Sequence, residues 1–334
     1  MADQSDDKLK IVSFFNHKGG VGKTTIAFNV ALAVANLGHR VLMIDADAQA
    51  NLTAVALTED RLEEVYDGGR TIWSALAPLV SGSGDIKSIR PTRVRGSVSL
   101  LAGDIRLSHF EAICPQGWTE ALAGEVRGYR VSTAIYRLIR QAAGQVDADV
   151  AFIDLGPNVG ALNRTALLAS DGFVIPMAPD LFSVTALPSV GTSTAKWIRD
   201  WQVARATLSV PVDFDLPEGR PVPLGYLSQQ FSVYRKEPSA AFRRWLKKIP
   251  EAYREGVLVP LESAGVSPPG DSPDLGALPN FYSLIPIAQD AKKAVFELGG
   301  SEARGAQFTR AQDTRTTFEG IGTEILRRLN KDES

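Results

Sequence analysis

The chain has 334 residues, 44% hydrophobic and 22% charged, with a net charge of −2 and a pI near 6.0. That balance is ordinary for a globular protein and excludes a wholly basic nucleic-acid binder, though not a local basic patch. One cysteine, Cys114, excludes an internal disulfide framework, and the scattered His17, His39 and His109 show no metal-ligand spacing.

Residues 1–9 are polar and acidic and read as a tail without the apolar core of a secretory leader. No apolar run approaches the ~20 residues that span a bilayer, so a cytoplasmic protein without a membrane partner is expected. Residues 11–15, IVSFF, are short, β-branched and aromatic, the composition of a buried strand. A glycine-rich turn follows. Then comes a helical pattern over 23–37, with Ala27, Val30, Ala31, Val34 and Ala35 at helical spacing and Gly38 as its stop.

Strand, glycine loop and helix form the context of a phosphate-binding loop. The expected cradle is Gly19, Gly20, Val21, Gly22, Lys23, Thr24 and Thr25. Glycines let successive N–H groups face one concavity, and the helix start adds its positive dipole end. Lys23 offers a point charge to the β- and γ-phosphates of ATP, and Thr24 offers a hydroxyl to Mg²⁺. The general pattern G-x-x-x-x-G-K-[ST] opens on glycine, whereas here His17 stands there and Lys18 follows.

A second strand, 41–45, ends in Asp45 and runs into Asp47, Gln49 and Asn51. A short helix at 71–79, a turn at 81–85 and a strand, loop and helix over 98–111 come next. Residues 114–130 read as irregular and 131–143 as an amphipathic helix. A third strand, 149–154, ends in Asp154, as a metal-binding aspartate after a buried strand should. Strands at 172–180, 223–231 and 281–287 and helices at 183–205 and 314–329 complete the alternation. Strand–helix alternation of this kind predicts a single α/β domain over 10–330, with a doubly wound, mostly parallel sheet flanked by helices. Residues 112–130, 211–222 and the Pro/Gly/Ser-rich 262–280 read as insertions, and 331–334 as a tail.

The string KGGVGKTT matches the deviant Walker A motif K-G-G-x-G-K-[ST], and Asp45 to Asn51 matches D-x-D-x-Q-x-N. On these motifs the chain resembles the ParA/MinD family of P-loop ATPases, closest to the DNA-partition type, strongly over 11–55 and 149–187. The resemblance implies Mg²⁺–ATP hydrolysis in an ATP-sandwiched homodimer. It implies Thr24, Asp45 and Asp154 around the metal, Asp47 orienting the attacking water, and Lys23 on the phosphates. It also implies Lys18 reaching across into the partner's site, with Gln229 and Pro286 beside the adenine. The family commonly has D-x-P-P after the third strand, where this chain has Asp154, Leu155, Gly156 and Pro157.

Residues 235–254 carry a basic stripe. A helix capped by Ser239 and stopped by Pro250 would set Phe242, Trp245, Leu246 and Ile249 on one face. Arg243, Arg244, Lys247 and Lys248 would lie on the other, with Arg235 and Lys236 just before and Arg327 and Arg328 as extensions. Such a stripe suits non-specific DNA, and an ordinary solvated face is the plain alternative. The family resemblance adds an activating partner, ParB-like or of another regulatory system. A membrane-positioning ATPase of MinD type needs a lipid-inserting terminal helix, which 314–329 resembles less than a packing helix. An iron–sulfur reductase needs two cysteines per subunit. A small-molecule ATP-dependent enzyme of the dethiobiotin synthetase type finds no substrate constellation.

Overall fold

The computed structural model describes residues 9–330 apart from 232, 235–236, 239–243, 271, 282 and 301. The strands are β1 (Lys10–Phe14), β2 (Val41–Asp45), β3 (Thr92–Arg95), β4 (Val98–Leu101), β5 (Val150–Asp154), β6 (Gly172–Met177), β7 (Val222–Phe231), β8 (Val233–Tyr234), β9 (Glu237–Pro238) and β10 (Asp274–Pro279). The helices are α1 (Lys23–Asn36), α2 (Asn51–Ala56), α3 (Glu59–Asp67), α4 (Ile72–Ser81), α5 (Leu107–Leu122), α6 (Val126–Ser132), α7 (Ala134–Val146), α8 (Ala161–Leu168), α9 (Leu181–Thr207), α10 (Ile249–Tyr253), α11 (Val259–Glu262), α12 (Leu284–Asp290) and α13 (Ala306–Leu329). A π-helical turn, Arg254–Leu258, joins α10 to α11.

Eight strands form one sheet in the order β10-β7-β6-β1-β5-β2-β4-β3, parallel except for β3 on β4. The expected doubly wound architecture is present. Successive side chains of a strand point to opposite faces, and the two cores follow that period. Ile11, Leu42, Ile44, Ile153 and Ile175 join the core on one face with α4 to α9. Val12, Phe14, Met43, Phe152 and Val174 join the core on the other with α1 and α13. Strands buried on both faces need helices on both, which the connections supply.

Three local expectations change. Residues 281–287 do not form the last strand. The edge strand is β10, inside the stretch expected as a structureless insertion, and α12 begins at Leu284. Among the described residues there, Phe281, Leu284 and Ala288 are buried, a helical rather than alternating spacing. Pro286 sits in the first turn of α12, where a missing N–H costs nothing.

Residues 114–130 are largely helical rather than irregular. Their glycines serve close packing. A Cβ on Gly128 would stand 2.2 Å from the Ala121 nitrogen, and one on Gly117 would stand 2.6 Å from Val131 Cγ1. Residues 244–246 are helical and stop before Pro250, as expected, and Pro250 itself lies at the start of α10. Ser239 lies outside the described residues.

Arg328 cannot extend a basic surface. It is 5% exposed, and its guanidinium donates to Glu324 and to the carbonyls of Leu224 and Asp274. Phe318, Ile321, Ile325 and Leu329 are buried, as their helical spacing predicts.

Candidate functional site

Strands β2, β5 and β1 are adjacent and parallel, with Asp154 opposite both Phe14 and Asp45. Their C-terminal ends therefore deliver Asp45, Asp154 and the loop after β1 to one edge of the sheet. The connection after β1 runs toward β2 and the one after β5 runs back past β1 to β6, and an open α/β sheet has its crevice where such connections diverge.

Gly20 and Gly22 have φ of 71° and 67°, the left-handed region that glycine enters without strain. Asn16 braces the loop: its Nδ2 donates to the Pro176 carbonyl at 2.7 Å, and its Oδ1 accepts the Lys18 N–H at 3.0 Å. Lys23 is buried, and its Nζ donates to the Lys18 carbonyl at 3.2 Å. Burial pulls its pKa down, opposed by the charges of Asp154 and Asp47. A cavity of about 490 Å³ opens here, lined by the loop glycines, Lys23 to Thr25, Asp47, α2 and the 289–292 turn.

Thr24 Oγ1 donates to Asp154 Oδ2 at 2.6 Å. The other oxygen of Asp154 is buried and has no hydrogen-bond partner among the described residues. Burial, then the neighbouring Asp45 charge, pushes this carboxyl up to about 8. A buried, unmatched carboxylate oxygen beside a hydroxyl is a hard-oxygen site that fits a magnesium ion.

Asp45 is fully buried and differently engaged. Its Oδ2 accepts from Thr53 N and Thr53 Oγ1, each at 2.7 Å, and its Oδ1 accepts from Asp47 N at 3.4 Å. Burial raises its pKa to about 6 against these hydrogen bonds. Asp47 lines the cavity, with Oδ1 accepting the Gln49 N–H at 3.0 Å. A Cβ at Gly156 would lie 3.2 Å from that Asp47 oxygen. The glycine that departs from D-x-P-P therefore gives the carboxylate its room.

Lys18 does not join Lys23 at the cavity. Its Nζ pairs with Asp180, lies 3.4 Å from Ser183 Oγ, and stands 5.8 Å from the centre of the Phe182 ring. Asp180 also caps α9, accepting the Ser183 N–H at 2.8 Å. Burial pushes the Asp180 carboxyl up, but the Lys18 and Ser183 hydrogen bonds outweigh it and hold it low. The apolar Leu181 and Phe182, which follow Asp180 in the chain, are 49% and 72% exposed.

Gln229 is buried against the loop, where a Cβ on Gly22 would meet its Oε1 at 2.6 Å, and its Nε2 has no partner among the described residues. Pro286 is exposed on α12, and Gln289, Asp290 and Lys292 beyond it line the cavity. Of the basic residues, Arg244, Lys247 and Lys248 are exposed, with Arg244 and Lys248 at 5.8 and 5.0 Å from the half-buried Trp245 ring. Arg235, Lys236 and Arg243 lie outside the described residues.

Sequence reasoning missed Asn16, Thr53 and Asp180. Asp180 carried a signal, an aspartate just before a helical pattern. Thr53 carried only its place two residues after D-x-D-x-Q-x-N.

A family described as "AAA domain" matches residues 9–202. The sporulation initiation inhibitor protein Soj of Bacillus subtilis is 31% identical over 181 residues, 53% of this chain and 62% of that protein. Relatives from Rhizobium rhizogenes and Sinorhizobium fredii are 28% and 29% identical, and the matches span 48% and 43% of their length. The chain thus spans about half the length of these curated relatives. Among solved structures, protein DIP2308 of Corynebacterium diphtheriae is 29% identical with a TM-score of 0.68, covering 85% of this chain and 97% of that one. An ATP complex of McdA from Cyanothece shares the fold at 17% identity and a TM-score of 0.62, covering 95% and 96%.

Proposed function

The chain belongs to the ParA/MinD family of P-loop ATPases, and we propose that it is a Mg²⁺-dependent ATP hydrolase that closes into a homodimer around ATP. In that state it binds DNA without sequence preference, and an activating partner, ParB-like or of another positioning system, stimulates hydrolysis and release.

The observation that carries this reading is the divergence of the two loop lysines. Lys23 is buried at the cavity, where its ammonium meets phosphate. Lys18 is half-buried, paired with Asp180 away from the cavity, and has the exposed Phe182 ring beside it. In the proposed dimer this cation serves a second subunit's nucleotide, as an arginine finger does, by stabilising charge that develops on the transferred phosphoryl group.

Within one chain the loop N–H groups and the start of α1 hold the phosphates. Asp47 accepts a hydrogen bond from the attacking water and aligns it. Thr24 and Asp154 would hold the magnesium ion, which supplies charge neutralisation for the β- and γ-phosphates. Asp45 takes part from behind, through the turn that bears Asp47.

The exposed Arg244, Lys247 and Lys248 support the DNA surface, and a dimer would present two such strips. The apolar face of α13 is buried on the sheet, which disfavours its use on lipid. The test is DNA co-sedimentation at low salt with ATP, with ADP and with Lys23→Ala. Binding with ATP alone, lost in the variant, is expected. DNA binding that is absent, or indifferent to nucleotide, would overturn the DNA-linked reading.

A further inference from the structure

We propose that Thr53 is the positioning residue of the hydrolytic site, its hydroxyl joining Asp45 to the β4 loop and so fixing the turn that carries Asp47. The proposal deepens the hydrolase reading and rests on it.

Thr53 is 0% exposed. Its Oγ1 donates to Asp45 Oδ2 at 2.7 Å and accepts the Gly103 N–H at 2.7 Å. A hydroxyl has one proton, so these two bonds fix its direction: the proton goes to the carboxylate and the lone pair faces the amide. Thr53 N adds a second bond to the same Asp45 oxygen at 2.7 Å. One side chain thus ties together the end of β2, the helix α2 and the loop after β4.

The connection continues to the reacting groups. Asp45 Oδ1 accepts the Asp47 N–H at 3.4 Å, so the carboxylate that Thr53 holds in turn steadies the backbone bearing Asp47. Helix α2 supplies Asn51, Ala54 and Val55 to the cavity wall, and Lys292 Nζ donates to the Ala54 carbonyl at 2.7 Å. Gly103 closes the far side. A Cβ there would stand 2.7 Å from the Asp45 carboxylate carbon, so nothing larger than hydrogen fits. Asp45 is thereby boxed between Thr53 and Gly103. A carboxylate so fully engaged is suited to holding a turn in place.

The loss of Thr53 Oγ1 leaves a buried carboxylate oxygen and a buried N–H each short of one partner. The turn has to move to recover them. A shift near 1 Å at a water-aligning group costs turnover by about tenfold to a hundredfold while the phosphate cradle, built on other residues, keeps its affinity.

The experiment compares wild-type protein with Thr53→Val, Thr53→Ser and Gly103→Ala in steady-state Mg-ATP hydrolysis and in titration with a fluorescent ATP analogue. Thr53→Val is expected to lower kcat about tenfold or more with nucleotide Kd within about threefold, and Thr53→Ser to restore most of the turnover. Gly103→Ala, which displaces Asp45 with Thr53 intact, is expected to lower kcat in the same way, and it carries the test if Thr53→Val does not fold. Turnover at the wild-type rate in Gly103→Ala and in any folded Thr53→Val overturns the proposal. So does a Thr53→Ser protein as slow as Gly103→Ala, or a loss of nucleotide affinity as large as the loss of kcat. Wild-type protein that binds ATP and never hydrolyses it overturns the hydrolase reading itself, and this assignment with it.

Discussion

The pair between Lys18 and Asp180 gives the sharpest test of the proposed dimer. Lys18 must leave Asp180 to reach a second subunit's nucleotide, so the pair opposes closure. Asp180→Asn removes the attraction and keeps the cap on α9, since asparagine caps as well as aspartate. The two side chains are 27% and 39% exposed, so solvent screens them heavily. Such a pair contributes about 0.5–1 kcal/mol, and a dimer breaks two of them, about 1–2 kcal/mol in all. At ~1.4 kcal/mol per factor of ten, Asp180→Asn should tighten ATP-dependent dimerisation by about 5- to 25-fold. Sedimentation equilibrium in an Asp47→Ala background, where hydrolysis is blocked, reads this constant directly. Dimerisation that is unchanged or weaker would refute the reasoning, because Asp180 would then be orienting Lys18 rather than withholding it.

Three further outcomes follow from single contacts. Gly156→Ala sets a methyl 3.2 Å from Asp47 Oδ1, so steady-state assays should find kcat lowered by about tenfold with ATP affinity kept; equal kcat would mean that Asp47 has slack. Burial, then the Lys23 charge, holds His17 down at about 4 against an ordinary 6.5. The unfolded chain therefore takes up a proton below 6.5 that the folded chain refuses until about 4, and stability falls as pH drops through that window. Discounted for partial exposure, the loss at pH 5 is about 1 kcal/mol, and His17→Gln should remove it; urea midpoints at pH 7 and 5 that shift equally in both proteins would count against this. Replacing Arg244, Lys247 and Lys248 with alanine should flatten the salt dependence of DNA affinity by up to about three counterions per protomer, and an unchanged slope would move the DNA surface elsewhere.

The sheet was legible in the sequence wherever a strand is buried on both faces, as at 11–15, 41–45 and 150–154. A continuous apolar run ending in a glycine or an aspartate has few other readings. The edge was not legible. β10 pairs on one side only, with β7, so DLGALP carries a broken pattern and loses to the more apolar 281–287. Glycine and proline misled for a related reason. Residues 114–130 read as irregular, yet their Gly117 and Gly128 let α5 and α6 meet closely, a contact fixed by the partner rather than by local preference. In the site, residues that face a ligand sat inside motifs and could be named. Thr53 and Asn16 act on other protein groups, so no chemistry in their own neighbourhood marks them.

The loop after β1 also shows how nucleotide binding and Lys18 are mechanically joined. Lys23 Nζ donates to the carbonyl of Lys18, and Asn16 Oδ1 holds the N–H of the same residue. Both peptide groups of Lys18 are thus fixed while its side chain rests on Asp180. A phosphate at the cavity competes for the Lys23 ammonium, because a charged acceptor outbids a neutral carbonyl. The ammonium has three protons, so the Lys18 carbonyl loses its partner only where Nζ moves toward the phosphate, and the Lys18 backbone then keeps one anchor instead of two. Such a move on nucleotide arrival would loosen the very residue that the proposed dimer needs in the other subunit. Lys23→Ala removes the same partner without any nucleotide, so Lys18 should be looser, and label faster with an amine reagent, in Lys23→Ala with Asp180→Asn than in Asp180→Asn alone. Equal labelling rates in the two proteins would show that the Lys23 contact does not hold Lys18.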